Sequence, residues 1–175
     1  MTLVSSVVHL GATPPLMAFV LRPHSEKSPR HTLLNLKEIP FFTINHVAKS
    51  FYKQAHQTSA SFPKEISEFN ACGLSEEFRS SLSAPYVKES DLQIGLKVKE
   101  IFDIPLNKTH FVIGEIIEFF VKDTALMDDG YIDIEAIDSI CVSGLDRYHS
   151  TKGLARLSYA KPDKEIREIP ISGES

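Results

Sequence analysis

Four residues of this chain have the types and spacing to hold an anion: Arg22, Arg30, His31 and Thr32. Ser28-Pro29 supplies a capping serine and a proline suited to the first position of a helix. Arg30, His31 and Thr32 then fall in the first helical turn, where a guanidinium, a hydroxyl and unpaired backbone N–H groups can meet a phosphate. An ordinary strand-to-helix connection with solvated basic residues has the same spacing, so the pattern by itself leaves both open. Other chemistries find less support. The seven histidines form no HExxH and no His-x-His pair, and neither Cys72 nor Cys141 sits in a CxxC, so no metal site is expected. No GxSxG marks a serine nucleophile and no GxGxxG marks a dinucleotide fold. The carboxylate pairs Glu76-Glu77 and Asp128-Asp129 read as helix-start and turn acids rather than an acid/base pair.

The elements that must position the anion-binding residues follow from hydropathy and punctuation. Residues 3–10 predict a strand ending at Gly11, and Pro14-Pro15 forces an extended turn. The apolar run Leu-Met-Ala-Phe-Val-Leu at 16–21 predicts a second strand, bounded by Pro15 and Pro23. A helix is expected over 29–38, closed by Pro40, followed by a strand at 41–45 and a helix over 46–56. Short helices are expected from Pro63 and from Ser75. Strands are expected at 85–87, 92–102 and 109–121, with Gly114 marking a bulge or a close approach. Asp128-Asp-Gly-Tyr is a turn signal, residues 132–137 suggest a short helix, and the tail from Lys161 is charged and lacks a core pattern. Strands dominate, and the expected fold class is mainly β: a β-barrel with peripheral helices. One domain over 3–160 and a charged C-terminal tail over 161–175 are expected.

At 175 residues, with 42% hydrophobic and 24% charged residues, the chain is long enough for one substantial core. Its net charge of −4 argues against general nucleic-acid binding, which needs a basic field. Two cysteines cannot build a disulfide framework, and free thiols in a reducing compartment are expected. No apolar run approaches the ~20 residues of a membrane span. The start Met-Thr-Leu-Val-Ser-Ser has no basic region and is broken early by proline, so a signal peptide is not expected. A cytoplasmic location is the expectation.

The segment from Ser5 to Phe19, Ser-Ser-Val-Val-His-Leu-Gly-Ala-Thr-Pro-Pro-Leu-Met-Ala-Phe, resembles the SSF-x-x-x-S-x-x-PPL signature of the flavin reductase-like, FMN-binding split-barrel proteins, the flavoredoxin-like group. Further pieces follow in the family's order: Arg30-His-Thr-Leu-Leu-Asn35, Phe42-Thr-Ile-Asn45, Ser67-Glu-Phe69, Cys72-Gly-Leu74 and Val112-Ile-Gly-Glu115. The resemblance implies a split β-barrel of the FMN-binding type, FMN as cofactor, NAD(P)H as electron donor and a homodimer with its flavin sites near the subunit interface. It places Ser5, Ser6 and Val7 beside the flavin, Leu21 and Arg22 along the slot, and Arg30, His31 and Thr32 at the phosphate. It further brings Ser59, Phe69 and Tyr148 near the site as covering residues. Two departures stand out: the chain looks N-terminally short, and Val7 occupies a position that is commonly aromatic in the family. The implied function is an oxidoreductase moving hydride or electrons between NAD(P)H, FMN and an acceptor. The alternatives are a non-enzymatic FMN-binding electron carrier or truncated dimerising relative of the same fold and, outside the family, a generic β-barrel binding module.

Overall fold

The structure is a computed structural model that describes residues 1–23, 31–79 and 81–173. The predicted helix start at Ser28, Pro29 and Arg30 lies outside the described residues. Among the described residues, eleven strands and three α-helices follow in chain order: β1 (Val7–Ala12), β2 (Pro15–Leu21), α1 (His31–Glu38), β3 (Phe41–Asn45), α2 (Tyr52–Gln57), α3 (Glu68–Cys72), β4 (Glu76–Arg79), β5 (Leu82–Val87), β6 (Leu92–Ile104), β7 (Thr109–Val121), β8 (Ile140–Ser143), β9 (Arg147–Ser150), β10 (Arg156–Leu157) and β11 (Glu168–Ile169). The fold is mainly β, with the helices at its periphery.

An antiparallel five-stranded sheet in the order β1-β2-β7-β6-β3 forms most of the barrel wall. Its spine is the long β6–β7 hairpin, 13 residues on each strand, with register shifts at Gly95/Leu96 and Val98/Glu100 that bend the sheet. The β4–β5 hairpin lies beside β3 but joins it through side chains: Thr43 Oγ1 donates to the Pro85 carbonyl at 2.7 Å, and the Val87 N–H donates to Asn45 Oδ1 at 3.1 Å. The wall is therefore interrupted there, with side-chain bonds replacing a ladder. Gly114 is the close approach its sequence context suggested. A Cβ there would come within 2.6 Å of Phe42 Cζ and 3.1 Å of Leu96 Cβ.

Three apolar clusters hold the barrel. In the first, Leu33 and Leu36 of α1 pack on Phe19, Leu21 and Val112, so the helix seals the sheet face carried by β2 and β7. Burying two leucines contributes about 1.5–3 kcal/mol each. In the second, Phe51 and Ala55 meet Phe69, Leu74 and Val87, seating α2 and α3 on β5. The third gathers Leu92, Ala125 and Ile137 at the far end.

Local signals were overridden where tertiary pairing supplied better partners. Residues 76–79, expected as the start of a helix, form β4 because β5 takes their backbone groups and Phe120 takes the Arg79 guanidinium at 3.6 Å. The helix expected over 46–56 is reduced to α2. Its first part is claimed by the 131–140 loop: Lys49 N–H donates to the Asp138 carbonyl, Ile140 N–H to the Val47 carbonyl, and Ala48 bridges Ser139. Residues 132–137, expected as a short helix, do not form one: Ile132 bridges Leu126, and a bend and turn follow over 134–137. The helix expected from Pro63 begins only at Glu68. The first strand begins at Val7 rather than Leu3, because Leu3 and Val4 leave the sheet to pack on the second and first clusters.

Candidate functional site

The residues that diverge from the sheet at its β1–β2 end open a groove. Its inner chamber, about 520 Å³, is lined by the N-terminal segment, by the end of β2 and the start of β7, by Thr32 on α1, by His56 and Ser59, and by the tip of the β8–β9 hairpin. An outer chamber of about 480 Å³ adjoins it, bounded by the start of α1 and the 58–65 loop. Thr2, Thr32 and Ser59 line both chambers, so hydroxyl groups mark their boundary.

Of the residues singled out from the sequence, Ser5, Ser6, Leu21, Arg22 and Thr32 line the inner chamber, and His31 with Thr32 lines the outer one. Leu21 is buried in the first cluster, and Arg22 is exposed at the end of β2. The Ser6 hydroxyl is engaged by the protein itself. It donates to the Val20 carbonyl at 3.3 Å and accepts from the Val20 N–H at 3.2 Å, extending the β1–β2 ladder by one side-chain rung. Val7 pairs with Phe19 and does not line either chamber. Arg30 lies outside the described residues.

Sequence reasoning passed over several groove residues. His56, which no sequence motif singles out, faces the inner chamber, and its Nδ1 meets Oη of Tyr148, a residue the resemblance does bring near the site, at 2.8 Å. Tyr148 is clamped between Tyr52 at 5.4 Å and His56 at 5.7 Å, and its burial, with Asp146 nearby, pushes its hydroxyl pKa up. Through it the β8–β9 hairpin is fastened to α2, which brings Val142, Gly144 and Leu145 over the groove. The hairpin's root is held by Ser139, whose hydroxyl meets His46 Nδ1 at 3.0 Å; burial lowers the pKa of that imidazole. No local pattern signalled Val142 or Leu145, because a hairpin distant in sequence carries them. Phe69 belongs to the second cluster and does not line either chamber. Thr58 is buried with its hydroxyl already donated to the Ala55 carbonyl at 2.7 Å, whereas Ser59 lines the boundary. Among the described residues no group of three or more His, Cys, Asp or Glu is placed to hold a metal ion, and no helix is long and apolar enough to cross a membrane. Cys72 and Cys141 are free thiols.

The inner chamber offers apolar walls (Val20, Leu21, Val142, Leu145), hydroxyls, and a cation at one end. A flavin mononucleotide requires that combination: a slot for its ring, partners for its polyol and donors for its phosphate. The interrupted barrel is the split-barrel fold of flavin reductase-like proteins. The family model of the flavin reductase like domain matches residues 1–134, and the chain belongs to that family. A flavin reductase-like protein with split barrel domain from Shewanella frigidimarina NCIMB 400 superposes with a TM-score of 0.85 at 50% identity, covering 91% of this chain and 78% of that one. Flavoredoxin of Desulfovibrio vulgaris shares the fold, with a TM-score of 0.74 at 23% identity over 93% of this chain and 81% of that one. A curated relative in Deinococcus radiodurans is 23% identical over 87% of this chain and 69% of its own. The chain spans 61% to 69% of the length of the curated relatives it matches.

Proposed function

We propose that this protein is an FMN-binding flavin reductase-like oxidoreductase that moves hydride or electrons between NAD(P)H, FMN and an acceptor, working as a homodimer. The observation that carries this reading is the gathering of Ser5, Ser6, Leu21, Arg22 and Thr32 from three separate segments into one chamber of about 520 Å³. Bound flavin supplies the two-electron chemistry; the chain's residues bind it, orient it and limit water. Val20, Leu21, Val142 and Leu145 provide the apolar walls against a ring, and Ser5 and Ser59 offer hydroxyls to a polyol. Thr32 and His31, joined on sequence order by Arg30, receive the phosphate at the first turn of α1. His56, with its Nδ1 engaged by Tyr148, presents a fixed imidazole edge to the chamber. The homodimer reading rests on β1, the outermost strand of its sheet, which exposes Val7, Val8 and Leu10 at 37%, 42% and 43%.

Fluorescence titration with FMN and riboflavin tests the reading. FMN should bind at least about tenfold more tightly, since a charge-assisted hydrogen bond contributes about 1.5–3 kcal/mol. Thr32→Val and Arg30→Ala should reduce that difference while leaving riboflavin affinity nearly intact. A protein that binds neither flavin refutes the proposal, and equal loss for both flavins refutes the phosphate role. Anaerobic mixing of FMN-loaded protein with NADH and NADPH separates a reductase, whose flavin band bleaches, from an electron carrier, whose band does not.

A further inference from the structure

Reducing a flavin takes a proton as well as a hydride. FMN, NAD(P)H and one proton become FMNH2 and NAD(P)+, so beyond the hydride a further proton must come from the protein or from water. The inner chamber offers few sources. Among its described lining residues Arg22 and His56 alone are ionisable, and no carboxylate, lysine, cysteine or tyrosine lines it. A guanidinium keeps its proton throughout the physiological range, whereas imidazole is the side chain that exchanges one near neutral pH. Neighbouring histidines are engaged elsewhere. His110, next to the lining residue Thr109, meets Asp103 at 2.6 Å, and His149 meets Ser143 at 2.8 Å.

The surroundings of His56 suit proton exchange. Its Nδ1 is held by Tyr148 Oη at 2.8 Å, and Nε2 has no partner among the described residues, so Nε2 is the nitrogen left to a ligand. A phenolic hydroxyl both donates and accepts. It bonds Nδ1 whether or not that nitrogen carries a proton, so the ring keeps one orientation while Nε2 is loaded and unloaded. Burial, and after it the charge of Asp146, pushes the Tyr148 pKa up, which keeps the phenol neutral as that partner. Tyr52 braces the Tyr148 ring at 5.4 Å. His56 itself is exposed, so solvent can reload it. The charged and titratable groups around it are Arg22 in the chamber, His31 beyond Thr32, Lys53 on the same helix with its ammonium 6.0 Å from the Tyr52 ring, and Tyr148 with Asp146 on the β8–β9 hairpin.

We propose that His56 is the proton donor of the flavin chamber, with Tyr148 as its positioning residue. Nε2 gives the proton that the flavin ring takes up beside the hydride. The imidazole is left neutral, with Nδ1–H donating to Tyr148 Oη, and water returns the proton to Nε2. The proposal rests on the flavin reading of the inner chamber.

Potentiometry of the FMN-loaded protein from pH 6 to 9, by equilibration with redox dyes, tests the assignment without turnover. Each proton taken up with the electron pair makes the equilibrium tenfold dependent on each pH unit, about 30 mV. The wild type should take up two protons per pair to about one pH unit higher than His56→Gln, because the second proton rests on the flavin or on Nε2 beside it. In anaerobic mixing with NADH, bleaching should slow about tenfold or more in His56→Gln, and the alkaline fall of the wild-type pH profile should disappear. Tyr148→Phe should keep the two-proton range, since His56 remains, and slow bleaching less. FMN affinity within about threefold of wild type shows that both variants are folded with the chamber intact. A two-proton range unchanged in His56→Gln overturns the proposal and leaves the flavin reading standing, even if bleaching is slower, since that marks a structural role. Loss of FMN binding in His56→Gln overturns it as well, because the residue then holds the flavin rather than serving it. A wild type that binds neither FMN nor riboflavin overturns the flavin reading, and this proposal with it.

Discussion

Tyr86→Phe tests the wall of the barrel away from the groove. Tyr86 is fully buried, and its hydroxyl donates to Glu118 Oε1 at 2.7 Å, while Ser81 donates to the same carboxylate. Its ring meets Phe120 edge-on at 5.6 Å, so the substitution keeps the packing and removes one O–H. A hydrogen bond to a charged group contributes about 1.5–3 kcal/mol. Glu118 is half-exposed and retains Ser81, so water replaces part of what is lost, and the lower end applies, about 1.5–2 kcal/mol. At this chain length each kcal/mol corresponds to about 2–4 °C, which gives a fall in Tm of about 3–8 °C. The pH dependence gives a second readout. Burial, and after it the bond to Glu118 and the charge of that carboxylate, raise the hydroxyl pKa above its ordinary value of 10.0. The folded protein holds this proton more tightly than the unfolded chain does. The stabilisation is therefore fully present below about pH 10 and is lost as pH rises beyond it. Thermal unfolding followed by circular dichroism from pH 7 to 11 should show a lower Tm for the variant at neutral pH and a shallower decline above pH 10. Flavin affinity should stay within about twofold, since Tyr86 lines neither chamber. A variant with unchanged Tm at pH 7 and an unchanged alkaline slope would refute the reasoning.

Gly114→Ala would set a methyl 2.6 Å from Phe42 Cζ and 2.7 Å from Phe42 Cε1, so urea unfolding should show a loss of about 1–3 kcal/mol. The same change at Gly130, whose added Cβ would meet nothing within 4 Å but whose φ is +85°, should destabilise through backbone strain alone. Arg156 binds Asp129 Oδ2 at 2.7 Å and the Ile171 carbonyl at 2.6 Å and stacks on Tyr131 at 4.2 Å, so Arg156→Ala should release the β10–β11 hairpin to limited proteolysis while leaving the groove intact. The bond from Arg156 holds the Asp129 carboxyl below its ordinary value, so this anchor is fully present above about pH 4 and is lost as pH falls further. Acid-active proteolysis of the wild type should approach that of the variant in that range.

Much of the fold was legible because it depends on local pattern. The apolar run at 16–21 gave β2, the alternation from Leu92 gave β6, and the long run through Gly114 gave β7 together with the close approach at that glycine. In the groove the structure brings together Ser5, Ser6 and Leu21, which only the family resemblance singled out, with Arg22, His31 and Thr32, which residue type and spacing also suggested, through one antiparallel turn and one helix.

The rest depended on partners far along the chain. Nothing in Ser75-Glu-Glu-Phe distinguishes a capped helix from a strand until β5 and Phe120 are alongside to take its backbone and Arg79. The helix expected from residue 46 failed because a loop some ninety residues later binds Val47, Ala48 and Lys49. The Ser6 hydroxyl, which the sequence offers to a ligand, is taken by the Val20 backbone once β1 and β2 align. The sequence by itself determined the strands of the five-stranded sheet and the hydroxyl-bearing start of α1, but not the β4, β8, β9, β10 and β11 strands. Only the tertiary structure decided that His56 faces the groove with Tyr148 behind it, that Leu145 overhangs it, and that a second chamber opens beyond Thr32 and Ser59. Periodicity and capping act within a few residues, whereas a cavity is the space that segments distant in sequence leave between them, and no segment encodes it alone.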